Sequence, residues 1–324
     1  MRKLPPNSGR PRPSIYSRKA GACGKKFGRL VGVLLFCAIP DRAVRAAEPT
    51  EAPRRAVSTI PSVVETLFAL GQGDRLVGVS PYCRFPPEAL QKAKVGSFHD
   101  ANLETILALE PDWVALFDTQ EKIAAVLEKM NCRVYRNSAE TLEEVYSVIR
   151  DLGAEFRVPD RAERLVASIR NEIESIEERL AGLPTKRVLY VVQRQPGALQ
   201  QIYCVGRGNF MNEMIEAAGG VNCVEASLGR YPILSKENVI LADPETILDV
   251  DPSRQGEEIR GTPEEWKTLS TVKAVRADSV HRIDDAHLSI PGPGIPRNVR
   301  RIAVLIHGEE ARSRLAEEDE EGVE

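Results

Sequence analysis

Two glutamates hold the same place in two copies of one short phrase. "NLETILALEPDWV" (Asn102–Val114) and "SKENVILADPETI" (Ser235–Ile247) each run through a capping-type residue, one further residue, a glutamate, an apolar turn, then acid–Pro–acid. Asn102 and Ser235 are good N-cap types, so Glu104 and Glu237 fall in the first turn of a helix. An acid there complements the helix dipole by about 0.3–1 kcal/mol and needs no partner. Its recurrence on two matched helices does more, because it presents two matched acidic points. Such a face suits a partner with two matched basic points.

The other chemistry-bearing residue types offer less. The histidines are His99, His281, His287 and His307, and they form no H-E-x-x-H or other local ligand spacing. His281 lies in an expected strand and His307 in an expected helix, which suits structural roles. His99 and His287 lie in expected loops between the two halves of the chain, where either could meet a metal. "VGRGN" (Val205–Asn209) lacks the G-K-[ST] ending of a phosphate loop and the spacing of a dinucleotide loop, and no G-x-S-x-G is present. No catalytic centre is expected, and neither a resident metal nor a cofactor.

The elements that position the glutamates alternate strand with helix at short spacing, the mark of parallel βα units. In the first half, "RRAVSTI" (Arg54–Ile60), "RLVGVS" (Arg75–Ser80), "DWVALF" (Asp112–Phe117) and "CRVYR" (Cys132–Arg136) read as strands. Between and after them come helices at "SVVETLFALGQGD", Asn102–Glu110, Gln120–Met130 and Leu142–Leu152. Ser62 is the expected cap of the first, with Glu65 three residues on as in a capping box and Gly71 as the stop. "PDRAERLVASIRNEIESIEERLAGLP" lies between Pro159 and Pro184, with Leu165, Ile169, Ile173, Ile176 and Leu180 on one face. It reads as one amphipathic helix of roughly 24 residues, or about 36 Å. A second series follows: strand "KRVLYVV", "QIYCV", helix "NFMNEMIEAAGG", helix Ser235–Ala242, strands "TILDV" and "SVHRI", and a helix from about Pro296. The fold class is therefore α/β, two parallel-sheet lobes joined by a single long helix, with a ligand cleft between them. The boundaries are a leader at 1–46, a first lobe at 54–157, the linking helix at 158–184, a second lobe at 185–310 and an acidic tail at 311–324.

The leader is set apart by charge. Residues 1–46 hold eleven of the 44 Lys/Arg and one of the 47 acids, so the overall −3 hides a body at −13. A body this acidic argues against nucleic acid as a partner. The basic stretch, the apolar "LVGVLLFCAI" and "AVRA" follow the order of a secretory signal. Ten apolar residues are too few to span a bilayer, which takes about 20. Export by a cleaved signal peptide is preferred here to lipid anchoring at Cys37, because Phe36 is bulky where such sites favour a small residue. Export leaves Cys83, Cys132, Cys204 and Cys223 for an oxidising compartment. These allow three pairings or four free buried thiols, and the sequence does not choose.

Four segments, in this order and spacing, carry a family resemblance: "RAVSTIPSVVETLFALGQGDRLVGVSPYCRFPPEA", "VGSFHDANLETILALEPDWVAL", "VGRGNFMNEMIEAAGGVNCV" and "YPILSKENVILADPETIL". The chain resembles the periplasmic substrate-binding proteins of ABC importers for cobalamin, haem and ferric siderophores, whose two α/β lobes share a helical backbone. The resemblance runs from about Arg54 to Gly308, and "GVSPYCRFPPEA" looks most like the cobalamin branch. It implies an exported, monomeric, non-enzymatic protein that captures a corrinoid. The alternative is a receptor for haem, a ferric siderophore or a bare metal ion in the same import role. It implies that Glu104 and Glu237 dock on the two copies of a membrane permease. By motif position it places Tyr82, Phe98, Phe117, Tyr203 and Tyr231 against the ligand; His287, in an expected loop between the halves, is added to that set, and Arg84 and Arg207 either meet ligand carboxylates or are simply solvated. A metal-containing macrocycle or chelate is well held by flat aromatic faces at the mouth of a cleft.

Overall fold

The structure, a computed structural model, describes residues 51–195, 197–250 and 263–316; the leader expected over residues 1–46 lies outside the described residues. The first lobe runs β1 (Ala56–Ser58), α1 (Pro61–Ala69), β2 (Leu76–Val79), β3 (Ala93–Lys94), α2 (Leu103–Ala108), β4 (Trp113–Leu116), α3 (Glu121–Lys129), β5 (Arg133–Arg136) and α4 (Leu142–Glu155). Its sheet has the order β3-β2-β1-β4-β5, with every pair parallel. Helices cover the faces of a parallel sheet, which is why β1 and β4 are buried along their whole length instead of alternating. Trp113 in β4 is a core residue, stacked on Tyr135 at 5.7 Å and edge-on to Phe156 at 5.2 Å.

The start of α1 differs from expectation. Pro61 takes the first helical position, where its missing N–H costs nothing, and Ile60 becomes the N-cap with no side-chain bond. Ser62 is inside the helix and buried, so it caps nothing, and Glu65 is released from any capping box. Elsewhere the caps are those the sequence shows. Asn102 Oδ1 accepts from Thr105 N at 2.9 Å, and Thr141 and Glu144 close a capping box at the start of α4. Gly71 ends the α1 segment at φ +68°, a conformation that costs glycine little.

The long helix α5 (Pro159–Leu180) is buried along Ala162, Val166, Ile169, Ile173, Ile176 and Leu180, with Leu165 at the margin of that stripe. It packs against α4 of the first lobe and against helices of the second. The second lobe comprises β6 (Lys186–Gln193), β7 (Ile202–Cys204), α6 (Phe210–Ala217), β8 (Gly220–Asn222), β9 (Ile233–Leu234), α7 (Lys236–Ala242), β10 (Thr246–Val250), α8 (Lys273–Arg276), β11 (Val280–Ile283), α9 (Ile295–His307) and α10 (Glu309–Ala316). Its sheet is mixed, not purely parallel. The order is β11-β10-β6-β7-β9, with β8 also on β6, and β7 runs antiparallel to both β6 and β9. The link from Gln193 to Ile202 is too short for a crossover helix, so β7 must return alongside β6. Beyond residue 311, where an acidic tail is expected, α10 continues to Ala316 and buries Ala311 and Leu315.

One apolar cluster joins the lobes. It includes Val63 and Leu67 of α1, Leu152 of α4, Ile169 and Ile176 of α5, Tyr190 of β6, Met214 of α6 and Ile302 of α9. No hydrophobic boundary separates the lobes along the helix, which is the packing basis for treating them as one rigid frame.

Candidate functional site

Open α/β sheets bind ligands outside the carboxyl ends of their strands. In the first lobe those ends lead into the Tyr82–Phe85 loop after β2, the Phe98 loop after β3, and Phe117 immediately after β4. Phe98 and Phe117 meet edge to face at 5.1 Å, and His99 meets Phe98 at 4.5 Å. A single buried amide ties the last two of these together. Gln120 Oε1 accepts from Phe117 N at 3.1 Å and from Thr59 Oγ1 at 3.0 Å, while Nε2 donates to Ser97 O at 3.3 Å and Phe98 O at 3.4 Å. Its four bonds make Gln120 the positioning residue for the aromatic pair, a role the sequence reading missed.

In the second lobe Tyr203 is half-buried on β7, opposite Gln193 at the carboxyl end of β6. Tyr231 precedes β9, and its hydroxyl donates to Glu140 Oε2 of the first lobe at 2.9 Å. The Tyr231 segment is held by backbone: Gly206 N donates to Arg230 O at 2.7 Å, and a Cβ at Gly206 would collide with the Gly229 carbonyl. Burial, then Glu140, pushes the Tyr231 phenol up, so it stays protonated as the donor. Two more bonds cross between the lobes here, Leu142 N to Glu213 Oε2 at 2.7 Å and Phe210 N to Glu140 O at 2.6 Å. Among the described residues, Tyr82 and Tyr203 share no ring contact with the other aromatics.

His287 lies at the opposite flank, in the connection between β11 and α9, and is buried. Its Nε2 stands 3.2 Å from Glu65 Oε2 of the first lobe, and Arg297 Nη2 donates to its Nδ1 at 2.8 Å. Phe85 packs edge-on to the imidazole at 5.3 Å, and the Arg297 guanidinium lies 4.6 Å from the Phe85 ring. Phe85 and Arg297 are exposed and were not singled out in the sequence. The available signals were an aromatic before Pro86 and an arginine in the first turn of α9, where a cation opposes the helix dipole and so has some other use. Arg84 is exposed, and Arg207 lies 3.6 Å from Glu216 on the surface.

The two glutamates are both exposed. The β3–α2 connection puts Glu104 at the carboxyl end of the first sheet. β9 runs in the direction of β6, so the β9–α7 connection puts Glu237 at the corresponding end of the second. The Ser235 hydroxyl holds the Glu237 carboxyl below the usual carboxylate range. Cys83, Cys132, Cys204 and Cys223 are all free and buried, which settles the pairing left open by the sequence. Burial pushes the Cys83 and Cys223 thiols up to about 12. Among the described residues no group of three or more His, Cys, Asp or Glu side chains could hold a metal, and no helix is long and apolar enough to cross a membrane.

A family model described as periplasmic binding protein matches residues 57–286, more than half of the chain. The chain belongs to the periplasmic binding protein family. This binding protein is 27% identical over 263 residues to an uncharacterized ABC transporter substrate-binding lipoprotein of Bacillus subtilis, covering 79% of this chain and 80% of that one. It is 26% identical over 242 residues to the vitamin B12-binding protein of Vibrio cholerae, covering 74% and 84%. The apo periplasmic heme-binding protein from Roseiflexus sp. RS-1 superimposes with a TM-score of 0.68 at 26% identity, over 80% of this chain and 99% of that one. The periplasmic binding protein is thus the extracytoplasmic, non-enzymatic substrate-binding component of an ABC importer. It takes a small-molecule ligand and serves a permease, and what it holds is cargo instead of a cofactor.

Proposed function

We propose that this protein captures a corrinoid in the cleft between its lobes and delivers it to a permease dimer, docking through Glu104 on one lobe and Glu237 on the other. The observation that carries the ligand reading is the set of exposed aromatics at the sheet ends: Tyr82 at 45%, Phe85 at 42%, Phe98 at 40% and Tyr231 at 42%. Leaving such rings in water forfeits apolar burial, and a flat macrocycle laid across them would recover it. Phe117 and Tyr203, inferred from motif position, and His287, from the loop after β11, complete the ligand-facing set. The relative named as a vitamin B12-binding protein supports the corrinoid. The protein works as a monomer, exported by a signal peptide over residues 1–46.

A second reading is haem. It is favoured by the Arg297 guanidinium, an exposed cation beside the aromatic Phe85, which suits the carboxylates of a porphyrin. Ferric siderophores and bare metal ions are the remaining alternatives, with His99 the exposed histidine nearest the aromatic pair.

The test is calorimetry of the mature chain with cobalamin, cobinamide, haemin, several ferric siderophores, and manganese or zinc salts. The expected result is corrinoid binding tighter than micromolar, or beyond about 8 kcal/mol. Haemin binding with no corrinoid response would select the second reading. Binding of a free metal alone would select the metal receptor, and silence throughout would remove the ligand class.

A further inference from the structure

Where the lobes touch beneath Phe85, the fold buries two titratable side chains against each other, Glu65 and the His287 of the ligand-facing set. Glu65 is 6% exposed and His287 is 7% exposed. Glu65 Oε2 and His287 Nε2 are 3.2 Å apart, within ion-pair distance; both atoms are buried, and among the described residues neither makes a hydrogen bond. Room for the pair is made by glycine: a Cβ at Gly294 would lie 2.7 Å from Glu65 Oε1 and would collide with the imidazole.

The hydrogen bonds around His287 fix its tautomer. A guanidinium can only donate, so the Arg297 Nη2 contact at 2.8 Å requires a lone pair on Nδ1. The proton of the neutral imidazole is therefore on Nε2, facing Glu65. A second acceptor waits beside Nδ1. Asn298 Nδ2 donates to His287 O at 2.9 Å, which orients the amide and leaves Asn298 Oδ1 3.4 Å from Nδ1. Nδ1 thus has one neighbour that only donates and one that can accept. Which of the two it uses depends on whether it carries a proton.

We propose that His287 is a proton-controlled latch on Arg297. When Nδ1 takes up a proton from solvent, it turns from Arg297 to Asn298 Oδ1, and the guanidinium is released above Phe85 to meet a carboxylate of the ligand. Electrostatics drive the release. In the neutral state Glu65 and Arg297 balance, whereas an imidazolium adds a positive charge that Glu65 stabilises and Arg297 opposes. The other groups on the site do not invert this. Asp285, which accepts from His287 N at 2.9 Å, is engaged by Arg301 of α9 at 2.6 Å, and Phe85, from the loop after β2, brings no charge. The proposal rests on the second reading of the cleft, a ligand that carries carboxylates as haem does. It gives that site a carboxylate-reading residue.

The experiment has two arms on the mature chain. The first follows the imidazole and guanidinium nitrogens by 15N NMR without ligand, from about pH 8.5 to about pH 5. The expected result is the Nε2–H tautomer at high pH, and on acidification a loss of the Arg297 side-chain hydrogen-bond signature together with His287 protonation. An Nδ1–H tautomer at high pH, or guanidinium signals indifferent to His287 protonation, would overturn the latch. The second arm compares haemin affinity of the wild type and Arg297→Met, an exposed substitution that leaves the core intact. The affinity ratio should be on the order of tenfold near pH 5.5 and close to one near pH 8, and His287→Gln should abolish the difference between the two pH values. Cobinamide, which has no carboxylate, should show a ratio near one at both. An equal haemin ratio at both pH values would overturn the proposal. Haemin that fails to bind at any pH would count against the haem reading and the carboxylate role of Arg297, while the first arm would still decide the latch.

Discussion

Replacing Ile176 by alanine in the long helix should destabilise both lobes at once. Ile176 is fully buried in the cluster that includes residues of α1 and α4 on one side and of β6, α6 and α9 on the other. Removing three carbon atoms at about 0.8 kcal/mol each, with a further term for the cavity left behind, gives a loss of about 3–4 kcal/mol. That is a large fraction of the 5–15 kcal/mol that typically holds a fold together. The two tryptophans supply the assay, because each lobe contains one and both are buried: Trp113 in β4 and Trp266 ahead of α8. Denaturant titrations of Trp113→Phe and Trp266→Phe would each follow the other lobe's fluorescence. The shared core predicts coincident transitions that Ile176→Ala moves together to lower denaturant, with little change in slope. Two separate transitions, or a shift confined to one lobe, would refute the single rigid frame.

Small-angle scattering with and without ligand should differ little, since a helix packed into both lobes resists hinge closure; a marked contraction would contradict that. Burial holds the His281 and His307 imidazoles below their ordinary value. The unfolded chain therefore binds more protons as pH drops through about 6.5, so stability should decline below that point and decline less in His281→Asn or His307→Gln. Cys83, Cys204 and Cys223 should react with a thiol reagent only on unfolding, because burial both hides the thiols and keeps them protonated. Asn102→Ala should cost about 1 kcal/mol through the lost cap of α2, measured as a shift in denaturant midpoint, and should leave ligand affinity unchanged.

What could be read from the sequence was mostly local. Strand–helix alternation, the apolar stripe from Ile169 to Leu180 and the caps Asn102 and Ser235 depend on residues within a few positions of one another, so the chain displays them directly. What escaped is tertiary. The mixed second sheet follows from the short link between β6 and β7, which rules out a crossover helix, although each strand alone looks like any other. Glu65 has the spacing of a capping-box acid, but Pro61 moved the helix start two residues earlier and freed it for His287 in the other lobe. Gln120 looked like any residue at a helix start, and only the fold brings Thr59, Ser97, Phe98 and Phe117 around it. The aromatic set was found only in part. Phe98 and Phe117 do meet, while Phe85 and Arg297, separated by more than two hundred positions, could be paired only in three dimensions.

The proposed function assigns capture and delivery to different parts of the fold, aromatics in the cleft and a glutamate on each lobe. Ligand uptake by whole cells carrying Glu104→Arg/Glu237→Arg as their only copy, run beside calorimetry on the same purified variant, tests that division most directly. Both side chains are exposed and sit in first helical turns, so binding in solution should be unchanged. Uptake should be lost, and to a greater extent than with either single reversal, because each lobe would present like charge to its own partner. Normal uptake by the double variant would contradict the docking role, and uptake lost together with solution binding would contradict the separation of the two functions.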